Sequence, residues 1–161
     1  MSNLAKKIID SSRIKVKNSP IHGRGVFAET KLKKGECLIE YKGERISWKE
    51  AIRRHPHDPL QPNHTFYFSL ENGNVIDAKN KGNAARWINH SCKPNCEAIE
   101  IDDAKLGSRV FLVAKKNIKP KEELFYDYSL SIDGKITKSI KKDYECRCGN
   151  KNCRGTMLQL D

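Results

Sequence analysis

Three cysteines near the end of the chain have the spacing of a metal site. Cys146, Cys148 and Cys153 lie in one short segment, so their thiolates can converge on a single ion. A closed structural zinc site takes four ligands in tetrahedral geometry, and a fourth ligand must therefore come from elsewhere. The candidates are Cys37, Cys92 and Cys96. The competing interpretation is a set of unrelated buried thiols, which the short gaps and the neighbouring basic residues disfavour.

A second group of chemically capable side chains lies near the middle of the chain. Asn89, His90 and Ser91 compete with the backbone for hydrogen bonds, and Pro94 keeps the residue before it out of the helical region. The sequence therefore predicts a tight irregular turn here. The turn follows an apolar pair, so we expect it to reach into the core, where its polar groups must bind one another or a ligand.

A glycine-rich loop, Gly23-Arg24-Gly25, follows a predicted turn at residues 18–20. Such a loop is often an ordinary hairpin turn. Alternatively, its two glycines let the backbone approach a ligand closely. A phosphate loop is not supported, because no Ser/Thr-Lys pair or strand-helix setting accompanies the glycines.

Short apolar runs bounded by turn residues must position these groups. Alternation and β-branched or aromatic content predict strands at residues 13–17, 26–28, 37–41, 66–70, 75–78, 97–101, 110–114 and 124–128. Ser47 and Glu50 have the spacing of a capping box, which predicts a short helix to about Arg54. Many short strands with little helix indicate a mainly β domain.

The composition bounds the function classes. The 161 residues suit one domain, and a formal charge of +11 favours an acidic protein or nucleic acid as partner, or else a solubilising surface. The first 17 residues have no apolar core like that of a signal peptide, so the six cysteines favour reduced thiols and metal binding over disulfides. No run is long enough to span a membrane.

Five segments, in the family's order, resemble the motifs of SET-domain protein lysine methyltransferases. Residues 86–96, RWINHSCKPNC, resemble the central NHSCxPNC signature. The opening GxG motif, the EYxGE strand, the closing EELxYDY motif and the post-SET zinc motif are similar to residues 21–28, 40–44, 122–128 and 146–153. Together the motifs cover roughly residues 13–158, which makes accidental agreement improbable.

The resemblance implies a SET-domain fold of small curved sheets, in which the C-terminal segment passes under a loop to form a pseudoknot. We expect an N-terminal tail (1–12), a SET domain (13–130), and a connector with a post-SET zinc segment (131–161). The resemblance also implies two cofactors, S-adenosylmethionine as methyl donor and a structural zinc ion. It selects Cys92 to complete the zinc site with Cys146, Cys148 and Cys153, which would clamp the C-terminal segment onto the central turn.

The resemblance also assigns roles to individual residues. Tyr128 corresponds to the catalytic tyrosine, whose hydroxyl oxygen orients the amine and the methyl group, and Tyr41 to a residue that lines the lysine channel. Tyr126 corresponds to the position that influences how many methyl groups are added, and its hydroxyl favours mono- or dimethylation over trimethylation. The residues expected to hold the cofactor are His22, Gly23, Arg24, Gly25, Asn89, His90 and Tyr128.

Two rival hypotheses remain from the residues alone. Cys92 or Cys96 with His90 and Asn89 has the composition of a cysteine hydrolase site, but such residues are normally assembled from distant positions. The basic charge also suits a zinc-stapled module that binds nucleic acid or chromatin without activity, although no helix-turn-helix or finger pattern is present.

The expected partner is a protein that presents a lysine, with a histone tail as the family's commonest target. We expect an intracellular protein that does not contact membranes, cytoplasmic in a bacterium and nuclear in a eukaryote or after delivery to a host. The sequence does not define the oligomeric state or the substrate lysine.

Overall fold

The computed structural model of the chain describes residues 4–21, 23–54, 66–130 and 135–160. Most of the regular structure in these ranges is β-strand, as the sequence predicts. The strands are β1 (Ile14–Asn18), β2 (Arg24–Ala28), β3 (Cys37–Glu40), β4 (Glu44–Ile46), β5 (Tyr67–Ser69), β6 (Val75–Asp77), β7 (Asn89–His90), β8 (Cys96–Asp103), β9 (Gly107–Ala114) and β10 (Phe125–Tyr126). The α-helices are α1 (Trp48–Arg54) and α2 (Lys138–Asp143), and three 3-10 helices cover Leu4–Lys7, Ser11–Arg13 and Ala84–Trp87.

The strands form four small sheets. Two sheets have three strands each, in the orders β3-β9-β8 and β4-β6-β5, and β1 pairs with β2. The fourth sheet joins β7 and β10 in parallel, although the two strands are far apart in the chain. This parallel pair places the central polar turn beside the closing YDY segment. The threading that a pseudoknot requires stays a prediction.

Strand β9 is the centre of the core because it is covered on both faces. Val110 and Leu112 pack into the main cluster, whereas Phe111 and Val113 pack into a second cluster with Cys37. A near-continuous apolar run of this kind is expected for a strand with no solvent-facing side. Each fully buried Leu or Phe side chain stabilises the fold by about 1.5–3 kcal/mol relative to exposure, so β9 anchors the site-bearing segments.

Helix α1 begins where the capping residue predicts. The Ser47 hydroxyl oxygen accepts a hydrogen bond from the Glu50 N–H at 3.1 Å, and this satisfies one of the unpaired donors of the first turn. Arg54, the last helical residue, forms an ion pair with Glu44 at 2.9 Å. The helix is therefore fixed to the start of β4.

Both terminal segments contact the domain. The Ile9 N–H donates to the Cys37 carbonyl at 3.0 Å, and Leu4 and Ala5 pack against the second cluster. Helix α2 is a feature that the sequence analysis did not predict in the connector. It begins after Thr137, whose hydroxyl accepts from the Ile140 N–H at 3.2 Å. The boundaries at residues 12/13 and 130/131 stay predictions.

None of the helices in the described ranges is long and apolar enough to cross a membrane.

Candidate active site and zinc site

The parallel pair of β7 and β10 brings the chemically capable residues together. Asn89 lies opposite Phe125, and His90 lies opposite Tyr126. Asn95, which is buried, secures this pairing: its amide donates to the Glu123 carbonyl at 2.9 Å and its oxygen accepts from the Phe125 N–H at 2.9 Å. One amide side chain therefore adds two hydrogen bonds between the central turn and the β10 segment, which help the two-residue strands to hold their register.

The imidazole of His90 has a defined tautomer. Its Nδ1 accepts a hydrogen bond from the Tyr128 N–H at 3.0 Å, so the ring proton lies on Nε2, which is 3.6 Å from the Cys92 Sγ. Burial lowers the pKa of His90 to about 4, which keeps the ring neutral at pH 7. The His90 side chain thus joins Tyr128 to a candidate metal ligand, and this leaves mainly its backbone for binding a cofactor.

The Tyr128 hydroxyl is held in one direction. It donates to the Ile88 carbonyl at 2.5 Å, so the lone pairs of its oxygen point away from that carbonyl. Burial, and then the negative charge of Glu123, raise the pKa of Tyr128. The phenol therefore stays protonated at physiological pH and acts as a hydrogen-bond acceptor rather than as a base.

Aromatic rings form a continuous row that ends at Tyr128. The centroids of Tyr41 and Phe68 are 5.3 Å apart, and those of Phe68 and Tyr126 are 6.3 Å apart. Tyr126 and Tyr128 follow at 4.8 Å and complete the row, and the His90 ring lies beyond its end, 5.3 Å from Tyr128. Ring faces pack against apolar chains and exclude water, so such a row suits the alkyl chain of an amine.

Phe68 is the member of this row that the sequence analysis did not single out. It lies on β5 and is half-buried, as is Tyr67 before it, whereas Ser69 after it is exposed, so alternation along the strand gave no clear signal for its role. The hydroxyl of Tyr41 donates to the Phe66 carbonyl at 2.9 Å. The backbone carbonyl of Phe66 therefore orients Tyr41, and this contact does not depend on the type of side chain at position 66.

The glycine-rich loop contacts the central turn directly. The Asn89 amide nitrogen donates to the Arg24 carbonyl and to the Glu123 carboxylate, each at 2.9 Å. A Cβ atom at Gly25 would lie 2.2 Å from the Glu123 Oε2, so a larger residue there would displace this carboxylate. Gly23 has a φ of +46°, which glycine adopts readily. His22 lies outside the described residues.

The four sulfur atoms of Cys92, Cys146, Cys148 and Cys153 all lie within 4.8 Å of one another. Cys92 Sγ is 3.6 Å from Cys146 Sγ and 3.8 Å from Cys153 Sγ. Tetrahedral zinc with Zn–S bonds of about 2.3 Å requires S–S separations of about 3.8 Å. A four-thiolate donor set at this spacing fits a structural zinc ion, and the group can hold one.

The remaining cysteines behave differently. Burial raises the pKa of Cys37 to about 11 and that of Cys96 to about 12. The Cys96 thiol donates to the Asn95 oxygen at 3.4 Å, and neither residue belongs to the four-sulfur group. These protonated thiols, with Cys92 among the four sulfurs, give no support to a cysteine hydrolase.

Contacts that do not involve sulfur also join the C-terminal segment to the site. Arg154 forms two hydrogen bonds with Asp127, at 2.8 and 2.9 Å, and the Asn150 amide donates to the Ser91 hydroxyl at 2.9 Å. Burial opposes ionisation of Asp127, but the Arg154 guanidinium holds its pKa at about 2. Asp127 separates Tyr126 from Tyr128, so this ion pair acts next to both tyrosines.

Known proteins resemble this chain in sequence and in fold. Histone-lysine N-methyltransferase trithorax of Drosophila virilis is 38% identical over 138 residues, which are 84% of this chain and 3% of that protein. Histone-lysine N-methyltransferase ASHH1 of Arabidopsis thaliana is 39% identical over 135 residues, 83% of this chain and 26% of that protein. The chain therefore spans only a minor part of the length of these relatives.

A solved structure, ctPRC2 in an autoinhibited conformation bound to S-adenosylmethionine, has a TM-score of 0.65 and 32% identity, covering 71% of this chain and 15% of that one. The SET domain family model matches residues 23–129, which is most of the chain and includes every strand from β2 to β10. The predicted fold class is confirmed, and the chain belongs to the SET domain family.

Proposed function

We propose that this chain transfers a methyl group from S-adenosylmethionine to the ε-amino group of a lysine in a protein substrate. The observation that carries the proposal is the Tyr128 hydroxyl, fixed by the Ile88 carbonyl at the end of the aromatic row. The same site lies beside the contact between Asn89 and the Arg24 backbone. The names of the relatives and the ligand of the structural neighbour support the same reaction.

The bound cofactor supplies an electrophilic methyl group on a positively charged sulfur. The substrate lysine must be neutral to attack it. With a pKa of about 10.4, a free lysine is neutral in only about one molecule in 2,500 at pH 7, a cost of about 4–5 kcal/mol. Transfer into an aromatic, water-poor channel beside a positive charge lowers the lysine pKa, so the site needs no strong base.

The positions of Tyr41, Phe68 and Tyr128 in the aromatic row support the roles proposed for them. The Tyr128 oxygen accepts a hydrogen bond from the amine and aligns it with the methyl group, because alignment is the main contribution that a protein makes to such a displacement. Tyr41 and Phe68 line the channel for the alkyl chain. The groups that hold the cofactor are His22, Gly23, Arg24, Gly25, Asn89, His90 and Tyr128.

We propose that Cys92, Cys146, Cys148 and Cys153 bind one structural zinc ion, which closes the C-terminal segment over the site. Their sulfur spacing supports this assignment. Zinc would also fix Cys92 beside His90, and through His90 the backbone of Tyr128. The metal takes no part in the chemistry of methyl transfer.

A histone is the first protein to test as substrate, because the relatives are named histone-lysine N-methyltransferases. In a eukaryotic cell, a histone substrate would place this chain in the nucleus. The basic surface supports an acidic partner. A cleft of about 250 Å³ is lined by the cations Lys42, Arg45 and Lys81, with Arg109 held by Glu40 at 2.7 Å. Electrostatic contact with an acidic protein or with nucleic acid would bring lysine-bearing complexes to the site.

The test is Tyr128→Phe, assayed with tritiated S-adenosylmethionine on histones and on lysate proteins. Loss of the aligning oxygen is expected to reduce turnover by about 100-fold or more, as for other positioned polar groups. Cofactor affinity, measured by calorimetry, should change by less than about threefold.

Tyr67→Phe is the matched control. It also removes a tyrosine hydroxyl that donates to a backbone carbonyl, that of Ala51 at 3.1 Å, but one that packs in a separate cluster. Full turnover in Tyr128→Phe, or equal losses in both variants, would remove Tyr128 from catalysis. A wild-type chain that binds no S-adenosylmethionine would refute the proposed function as a whole.

A further inference from the structure

Glu123 is a buried carboxylate at the edge of the proposed cofactor site. Only 8% of its surface is exposed. The Ser19 hydroxyl lies 2.8 and 2.9 Å from its two oxygens, and the Asn89 amide donates to Oε2 at 2.9 Å. Through these bonds one side chain joins the segment before the glycine-rich loop to the central turn.

The hydrogen-bond partners of this carboxylate among the described residues, Ser19 and Asn89, are neutral. Within the ranges that the structure describes, the ion pairs formed by lysine and arginine involve other acidic residues. A buried charge without an opposite charge is costly, and proteins normally pair such groups or neutralise them. Neutral donors reduce this cost but leave a net negative charge in the pocket.

The negative charge lies where the proposed cofactor residues meet. The Glu123 Oε2 fills the space next to Gly25, where a Cβ atom would displace it, and it binds the same Asn89 amide that holds the Arg24 backbone. The charge of Glu123 also reaches Tyr128, whose pKa it raises in addition to the effect of burial. Glu123 is therefore electrostatically close to the glycine-rich loop, the central turn and the proposed catalytic tyrosine.

We propose that Glu123 is a specificity residue that recognises the positive charge of the methyl donor. This inference rests on the proposed function, because the donor is the cation that completes the pocket. S-adenosylmethionine carries a sulfonium, whereas the product S-adenosylhomocysteine carries a neutral thioether and is otherwise nearly identical. The carboxylate favours the charged donor over the spent product, and this difference would promote product exchange after each transfer.

The experiment compares the dissociation constants of donor and product by calorimetry, in the full chain and in Glu123→Gln. The variant keeps the shape of the side chain and removes its charge. We expect donor affinity to fall by about tenfold or more and product affinity by less than about threefold, since a unit of charge interaction is worth more than a neutral hydrogen bond. The ratio of the two constants is the diagnostic quantity, because a purely structural role would weaken both ligands equally.

Two variants act as controls. Glu122→Gln removes the charge of the exposed neighbouring residue and should leave both constants unchanged. Ser19→Ala removes a hydrogen bond to the carboxylate while its charge remains, so it should leave the ratio near the wild-type value even if both constants rise.

An unchanged donor-to-product ratio in Glu123→Gln overturns the inference while leaving the proposed function intact, provided that the wild-type chain binds the donor. If Glu123→Gln does not fold, as judged by circular dichroism, Glu123→Asp replaces it. Withdrawal of the carboxylate by one methylene should then reduce donor affinity more than product affinity, and equal losses would again overturn the inference.

Discussion

The buried Tyr41 and Tyr126 and the half-buried Tyr128 share one aromatic row, and the hydroxyl groups of Tyr128 and Tyr41 have different partners. Tyr128 donates to the Ile88 carbonyl and Tyr41 to the Phe66 carbonyl. Burial raises the pKa of all three phenols, so none is a phenolate at physiological pH. The row therefore offers oriented oxygen acceptors and apolar ring faces, which is the environment that a neutral amine requires.

Tyr126 is expected to limit the number of methyl groups that the enzyme adds. Its ring lies 4.8 Å from that of Tyr128, so its hydroxyl can restrain the amine or a water beside it. Tyr126→Phe removes this restraint and makes room for further methyl groups. We expect the main product to shift from mono- or dimethyl-lysine towards trimethyl-lysine, as measured by mass spectrometry of the modified peptide.

Tyr67→Phe again serves as the matched control, because it removes a hydroxyl outside the aromatic row. Its product distribution should equal that of the wild type. The same distribution in Tyr126→Phe would contradict the assignment of Tyr126 as the residue that sets the product.

Sequence alone could predict residue types with local signatures but not their partners. The cysteine spacing indicated a metal site, yet Cys37, Cys92 and Cys96 remained equal candidates for the fourth ligand until the resemblance selected Cys92. The structure places the Cys92 sulfur with the other three. The roles of Phe68 and of the His90 imidazole were not predictable, because each depends on contacts between segments that are distant in the chain.

At the scale of elements, strands with clear alternation were predictable and their pairing was not. The predicted strands over residues 13–17 and 75–78 correspond to β1 and β6. Strands β7 and β10 have two residues each, too few for a periodic pattern. Their parallel pairing is supported by the Asn95 side chain, through tertiary contacts that local sequence does not encode.

The ion pair between Arg154 and Asp127 is expected to hold the C-terminal segment in place independently of zinc. Both side chains are mostly buried: 25% of the Arg154 side chain and 30% of the Asp127 side chain are exposed. Hydrogen bonds to charged groups contribute about 1.5–3 kcal/mol each when they are not fully exposed. Arg154→Gln should therefore increase local opening of this segment by about 10- to 100-fold.

Hydrogen exchange measured by mass spectrometry tests this prediction on the backbone bonds beside the ion pair. The Leu130 N–H donates to the Met157 carbonyl at 3.1 Å, and the Gln159 N–H donates to the Leu130 carbonyl at 2.7 Å. Peptides with these amides should exchange faster in Arg154→Gln. Arg53→Gln is the control, because it also removes an arginine that forms an ion pair, with Glu50, but one whose own side chain is largely exposed. Equal exchange in the two variants would show that Arg154 does not secure the segment.

At the scale of the whole molecule, one chain of contacts connects the sulfur group to the aromatic row. The Cys92 sulfur lies next to the His90 Nε2, and the His90 Nδ1 accepts from the Tyr128 N–H. A zinc-bound thiolate is a stronger acceptor than a thiol, so metal binding would strengthen this hydrogen bond and fix the Tyr128 backbone. Zinc binding and the position of the proposed catalytic tyrosine should therefore be coupled.

Removal of zinc is expected to abolish turnover without unfolding the sheets. The core around β9 contains none of the four proposed ligands, so circular dichroism should change little after chelation. The C-terminal segment would lose its strongest attachment, since metal binding in such sites supplies folding free energy. Turnover should fall by about 100-fold or more, and re-addition of zinc should restore it.

Elemental analysis supplies the direct measurement, with one zinc ion expected per chain and little in Cys148→Ser. Cys37→Ala is the matched control, because Cys37 is a cysteine outside the four-sulfur group, and it should retain the wild-type zinc content. Two outcomes would contradict the assignment: equal zinc content in both variants, or full turnover in a chelated chain that elemental analysis shows to be free of metal. The second outcome would show that the contacts of Arg154 and Asn150, which need no metal, are sufficient to close the site.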